Sequence, residues 1–141
     1  MVSAIHMPIS AGMKATLLWT NNNPYGSFEK QNIVMDDFSV YDYLVVVTKE
    51  TTSGYNQYYS FIKIDKTTLI PGTSNYALQP IVSQYIENYN WTNTGRKVYA
   101  SSDFTLLTIN ESNTIGMNDV QNWRNIPLRI YGLKGKINGL E

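Results

Sequence analysis

The chain contains no cysteine, which removes disulfides, thiolate nucleophiles and Cys-ligated zinc from consideration. It has a single histidine, His6, in what reads as an extended tail. Neither a zinc site nor a His-based triad therefore has the parts it needs. Charge is scarce: Asp, Glu, Lys and Arg make up 16% of the residues, where about 25% is usual. Formal net charge is zero, so the basic footprint of a duplex-binding protein is missing and nucleic acid is disfavoured as a partner. No apolar run approaches the roughly 20 residues that cross a bilayer as a helix. The first residues also lack a basic segment ahead of an apolar one, so neither membrane insertion nor a signal peptide is expected. Solubility has to rest on uncharged polar groups.

What is present is a set of short β-branched and aromatic runs separated by stretches dense in Asn, Ser, Thr and Gly. At 141 residues the chain suits one domain able to bury a core without covalent staples. The runs predict strands over 14–20, 32–36, 41–48, 58–64, 96–101, 104–109 and 127–133. Residues 41–48, Tyr-Asp-Tyr-Leu-Val-Val-Val-Thr, are apolar without alternation and predict a central strand buried on both faces. Around 28–35, Gln31, Ile33 and Met35 fall on one face and Asn32 and Val34 on the other. The middle holds Pro71, Gly72 and Pro80 and predicts two shorter strands, over 77–82 and 84–88. Pro80 places the first of these at an edge or a bulge. Residues 96–101 and 104–109 predict an antiparallel hairpin through Ser102-Asp103, and the missing glycine points to a bulge or a longer loop. A long polar connection over 110–125 has room for one or two helical turns at 117–123. Helix signals are otherwise nearly absent.

These elements predict an all-β fold, a two-sheet antiparallel β-sandwich of jelly-roll or Greek-key type. Its divisions are an N-terminal arm over 1–13, one sandwich domain over 14–135 and a C-terminal tail over 136–141. His6-Met7 and Leu140-Glu141 read as joins left by cloning and carry no functional argument.

Some stretches are similar to a known kind of module. They are Ala15-Thr16-Leu17-Leu18-Trp19-Thr20-Asn21-Asn22-Asn23-Pro24, then Ser27-Phe28, Tyr41-Asp42-Tyr43-Leu44-Val45, the Arg96-Lys97-Val98 to Ile109 hairpin and Ile126-Pro127-Leu128-Arg129-Ile130-Tyr131-Gly132-Leu133-Lys134. Together they resemble small β-sandwich modules encoded among the tail genes of phages that infect Gram-positive bacteria. The resemblance covers most of the chain and leaves 55–94 outside it. It implies a virion protein, made in the host cytoplasm and assembled into the tail or baseplate with other tail proteins. It also implies a homo-oligomer, a trimer, that contacts the host envelope. No cofactor and no enzymatic activity are implied. A structural tail or head decoration without a ligand, or a bacterial carbohydrate-binding module, fits the same pattern.

Independently of that resemblance, aromatics crowd the middle third: Tyr55, Tyr58, Tyr59, Tyr76, Tyr85, Tyr89 and Trp91. Sugars present apolar C–H faces and a rim of hydroxyls, so flat rings beside amide groups suit them. Glu87-Asn88-Tyr89-Asn90-Trp91-Thr92-Asn93 has both, and predicts a loop near a cell-wall polysaccharide. The candidate ligand-binding residues are Tyr85, Tyr89, Asn90, Trp91 and Asn93. The same rings at alternating positions also fill a sandwich core or a subunit interface.

Carboxylates at Asp36, Asp37, Asp42, Asp103, Glu111 and Asp119 raise the question of glycoside hydrolysis, which needs a pair flanking the scissile bond. No hydrolase motif accompanies them, and no Asp-x-Asp-x-Asp-Gly loop points to calcium. Turns at strand ends account for them, so no catalytic residue and no metal ligand is assigned. Gly132-Leu133-Lys134-Gly135-Lys136 lacks the spacing of a phosphate-binding loop.

Overall fold

The computed structural model describes residues 14–65 and 75–135. The predicted arm and tail, together with Pro71 and Gly72, lie outside the described residues. Nine strands are described, in the order β1 (Lys14–Thr20), β2 (Gln31–Val34), β3 (Tyr43–Thr51), β4 (Gln57–Lys63), β5 (Asn75–Ala77), β6 (Ile81–Glu87), β7 (Asn90–Ser101), β8 (Leu106–Thr114) and β9 (Arg124–Lys134). They form two antiparallel sheets packed on each other, so the chain is an all-β sandwich. One sheet runs β1-β9-β3-β4; the other runs β2-β8-β7-β5, with β6 also on β7. Among the described residues no helix is long and apolar enough to cross a membrane.

The uninterrupted apolar run becomes β3, between β9 and β4, and every residue from Tyr43 to Lys49 is buried. Cross-strand partners share a face, and Val45 lies between Tyr131 and Phe61 while Val47 lies between Arg129 and Tyr59. Long side chains on both neighbours thus cover the valines of one face. On β9, Gly132 sits under the Tyr41 ring, where an added Cβ would lie 2.6 Å from the ring atoms. The ring covers the gap that a side chain would fill. We expect Gly132→Ala to lower stability by about 1–3 kcal/mol through overpacking, read as a lower denaturant midpoint at an unchanged slope.

β2 alternates as its pattern predicts, with Ile33 buried and Val34 80% exposed. The predicted strands over 77–82 and 84–88 divide differently. β5 and β6 lie end to end along the same edge of β7, Asn75–Ala77 opposite Tyr99–Ser101 and Ile81–Glu87 opposite Asn90–Arg96. The break falls at 78–80, where Pro80 has no N–H to donate to the ladder. β6 then continues unbroken through Ser83, whose hydroxyl is 3.1 Å from that of Thr94 on β7.

The predicted hairpin is β7 and β8, and it closes through the longer loop expected. Phe104 there adopts a positive φ of 58°. Its ring stacks on Tyr76 at 5.7 Å and meets Phe38 edge-on at 5.4 Å, packing that holds an unfavourable backbone in place. The polar connection expected over 110–125 is shorter than predicted, because β8 runs on to Thr114. β8 has one residue more than β7 between the pairs Val98–Ile109 and Arg96–Ser112. That bulge resets the alternation, so Leu107, Ile109 and Ser112 are all buried. No helical turn forms at 117–123. Asp119 instead accepts from the Thr114 amide and hydroxyl and from Gln121 Nε2 at 2.7–2.9 Å, folding the connection back on the end of β8.

Arg96 is fully buried in the sandwich. Its guanidinium donates to four backbone carbonyls, those of Asn125 at 2.7 Å, Asn110 at 2.9 Å, Arg124 at 3.1 Å and Asn122 at 3.4 Å. The Phe28 ring lies 5.1 Å from Cζ. Burial pulls the group down to about 10, with Glu111 opposing, so it stays charged at neutral pH. Asn125, at a positive φ of 52°, donates its side-chain amide to the carbonyls of Ile81 and Thr94. The start of β9 is thereby pinned to β6 and β7.

Candidate functional site

Two hairpins on neighbouring sheet edges define one end of the sandwich. β3 and β4 are joined by residues 52–56, and Thr52 N donates to Trp123 O at 3.0 Å. β6 and β7 are joined by Asn88 and Tyr89, both at positive φ (51° and 65°), the backbone of a type I′ turn. The predicted loop over 87–93 is therefore a hairpin tip. Asn90, Trp91 and Asn93 are strand residues, placed by pairing with Glu87, Ile86 and Gln84. Asn88 tolerates the left-handed region, and Tyr89 holds it with a ring wholly in solvent. The two hairpins are joined where Val82 N donates to Ser60 Oγ at 3.1 Å, and Lys63 N donates to Gln79 Oε1, just ahead of β6, at 2.9 Å.

Between the hairpins lies a cleft of about 220 Å³, lined by Tyr58, Tyr85, Trp91, Glu50, Asn56 and Gln84 together with Thr51 and Ile86. Trp91 is 64% exposed and Ile86, its cross-strand partner, 52%, so an indole face and an alkyl surface are open to solvent. Tyr85 is backed by protein. It meets Trp123 edge-on at 5.7 Å, and the Arg124 guanidinium stacks 3.9 Å over its ring and 4.5 Å over that of Trp123. Because Arg96 holds the carbonyls on both sides of Trp123, this backing is anchored in the core.

Glu50 supplies the charge. Gly54 leaves room for it, since a Cβ there would run into the carboxylate, and Tyr55 N donates to Oε1 at 3.2 Å. Burial first, and Glu50's negative charge second, push the Tyr58 phenol up. It remains a neutral hydroxyl at physiological pH, able to donate or accept.

Of the residues predicted from sequence, the cleft brings together Tyr85 and Trp91. Tyr89 and Asn90 stand at the exposed tip, and Asn93 lies beside Gln84 on β7 without lining the cleft. Glu50, Thr51, Asn56, Gln84 and Ile86 also line the cleft and carry no local sequence signal for a site, and Tyr58 stands out in the sequence only as one of many aromatics. The available signal was the register of the β3–β4 hairpin, which sets Tyr58 opposite Thr48 and close to the turn.

A larger groove, of about 420 Å³, runs over Gly95 between Val82, Lys97, Asn110, Ile115 and Met117. It has aliphatic walls and no aromatic plane, so it offers a sugar ring little to stack on.

The carboxylates singled out in the sequence are largely engaged in turns. Asp37 accepts from Ser39 N and Asp42 from Gly135 N. Asp103 accepts from the Thr105 and Ser101 hydroxyls at 2.7 and 2.8 Å. Among the described residues no three His, Cys, Asp or Glu gather as a metal site would require. Hydrogen bonds from Thr105 and then Ser101 hold Asp103 below the usual carboxylate range, and one from Thr114 does the same for Asp119. A depressed folded value means the stabilisation is present at neutral pH and is lost as pH falls below 3.8 toward the folded values. We expect the Asp103→Asn, Asp119→Asn double variant to melt lower at neutral pH and to lose less than the parent on acidification, in a melting-temperature profile against pH.

Compared with known proteins, the chain matches no family model, no curated protein and no solved structure.

Proposed function

We propose that this chain is a binding module of a phage tail or baseplate that holds a host cell-wall saccharide in the cleft between its two hairpins. The observation that carries the reading is the cleft itself. Three aromatic rings, from Tyr58, Tyr85 and Trp91, converge there with the amides of Asn56 and Gln84 and the carboxylate of Glu50. Rings meet the C–H faces of a sugar, and amide, phenol and carboxylate groups meet its hydroxyls. The placement in a virion rests on the tail-module resemblance of 15–24, 41–45 and 126–134, as does assembly into a trimer with other tail proteins. Leu17 and Val34, exposed on the edge strands β1 and β2, offer apolar surface to such an assembly.

The test is adsorption of the purified protein to Gram-positive cell walls before and after their glycopolymers are stripped. Retention on intact walls and loss on stripped walls supports the saccharide reading; equal retention contradicts it. Tail and lysis genes flanking its gene support the virion reading, and a metabolic operon overturns it. A structural tail or head decoration would leave the walls unbound.

A further inference from the structure

The sheets end differently on the two sides of the sandwich. On one side the edge strands β4 and β6 are tied together, through Ser60 on β4 and Gln79 just ahead of β6. On the other, β2 ends its sheet and pairs only with β8 among the described residues. Lys30, Gln31, Asn32, Val34 and Asp36, along the strand and at its ends, are all exposed, Val34 at 80%. An edge of this kind is a template for another strand.

Hydrogen bonds fix which backbone groups face outward. Met35 N donates to Thr105 O at 2.9 Å, so along the antiparallel ladder Gln31, Ile33 and Met35 turn their N–H and C=O toward β8, while Asn32 and Val34 turn theirs away. Asn32 fits this alternation. It stands opposite Thr108 in a pair without backbone bonds, where side chains come closest, and accepts from the Thr108 hydroxyl at 2.7 Å. An added antiparallel strand therefore bonds to Asn32 and Val34, whose side chains share the solvent face with Lys30 and Asp36.

The charges select the strand that fits. Lys30 and Asp36 lie equally far in sequence on either side of Ile33 and carry opposite signs. Edge charges ordinarily keep strands apart. A second β2, laid antiparallel about a two-fold axis at Ile33, instead sets each Lys30 opposite the other chain's Asp36 and each Asn32 opposite the other chain's Val34. Sliding the register by two residues keeps the backbone bonds, but it puts Lys30 opposite Val34 or Asp36 opposite Asn32 and loses both charge pairs. Glu29 and Asp37, next outward, do not oppose each other, because Asp37 leaves the strand to cap a 3-10 turn and accepts from Ser39 N.

We infer that two copies of this chain join their five-stranded sheets edge to edge, through an antiparallel β2–β2 pair centred on Ile33 and closed by two Lys30–Asp36 ion pairs. The two Val34 side chains become diagonal neighbours and cover part of each other. The contact is two-fold and isologous, so it goes beyond the saccharide reading and does not build the trimer. It joins single chains or trimers in pairs, and leaves β1, the edge of the other sheet, to the three-fold assembly. A strand this short makes a contact of modest area that forms at high concentration.

The experiment is sedimentation equilibrium of the whole chain over a concentration series reaching the millimolar range, with circular dichroism to confirm folding. The unaltered protein is expected to double the mass of its smallest assembly as concentration rises. Val34→Pro removes an outward N–H, leaves the β8 ladder intact and is expected to abolish the doubling. Lys30→Asp and Asp36→Lys each replace two attractive pairs by two repulsive ones, and each is expected to weaken pairing by about tenfold or more. The deciding arm is an equimolar mixture of these two variants, in which every Asp meets a Lys. The doubled species is expected to return there at the concentration at which the unaltered protein forms it. No doubling by the unaltered protein, doubling that survives Val34→Pro, or a mixture no better paired than its components overturns the assignment.

Discussion

Replacing Arg96 with methionine is expected to lower the melting temperature by roughly 10 °C. Methionine can occupy much of the volume, but it has no donor for the carbonyls of Asn110, Asn122, Arg124 and Asn125 that the guanidinium serves. Leaving these four carbonyls unpaired at about 1 kcal/mol each sums to about 4 kcal/mol. Relief from burying a charge offsets part of this, and the remainder still dominates because four acceptors depend on one side chain. Arg96→Lys is expected to recover little, since an ammonium cannot present the planar fork that reaches carbonyls in several directions. Thermal unfolding followed by far-UV circular dichroism measures both. A melting temperature unchanged in Arg96→Met would mean that the carbonyls find other donors and that Arg96 does not organise this end of the sandwich.

Trp91→Ala is expected to leave the fold in place and to remove most of the adsorption to cell walls. The indole is 64% exposed, and substitutions at such surface positions shift stability by about 0.5 kcal/mol or less. On the ligand side, covering a large aromatic face is worth about 1.5–3 kcal/mol, which is roughly a tenfold to hundredfold change in affinity. Tyr89→Ala separates the cleft from the hairpin tip. Tyr89 projects from the turn without lining the cleft, so its loss is expected to leave adsorption near that of the parent. Pull-down on purified walls, with circular dichroism to confirm folding, reads both variants. Equal adsorption by Trp91→Ala would remove the indole from the proposed site.

Much of the sandwich was legible because burial follows side-chain period. The apolar run of β3 marked a strand covered on both faces, and the alternation of Ile33 and Val34 marked a half-exposed one. The break near Pro80 followed from its missing N–H, although its effect was to end β5 rather than to bulge a longer strand. The β8 bulge left no local mark, because an extra residue at 110–111 is visible only against the partner strand. The β6–β7 turn was hidden for a related reason. An Asn-Tyr pair lacks the glycine that ordinarily signals a type I′ turn, and Tyr89 holds its backbone because seven residue pairs of the flanking strands set it.

The same division applies to the site. Tyr85 and Trp91 could be found because aromatics beside amides are a local compositional signal. Glu50 could not, since it lines the cleft only through a hairpin that is distant in sequence from Gln84, Tyr85 and Trp91 on the strands it faces. Arg96 was readable in principle: Thr94, Arg96, Val98 and Ala100 alternate with the buried face of β7. An arginine on that stripe predicts a buried cation that must find acceptors.

Whether a saccharide is held between the two hairpins is decided by nuclear magnetic resonance on isotopically labelled protein titrated with soluble cell-wall polysaccharide. Progressive shift changes confined to Glu50, Asn56, Tyr58, Gln84, Tyr85 and the Trp91 indole are expected. Changes that gather instead around Gly95 and Ile115, or no changes at saturating polymer, would contradict that placement.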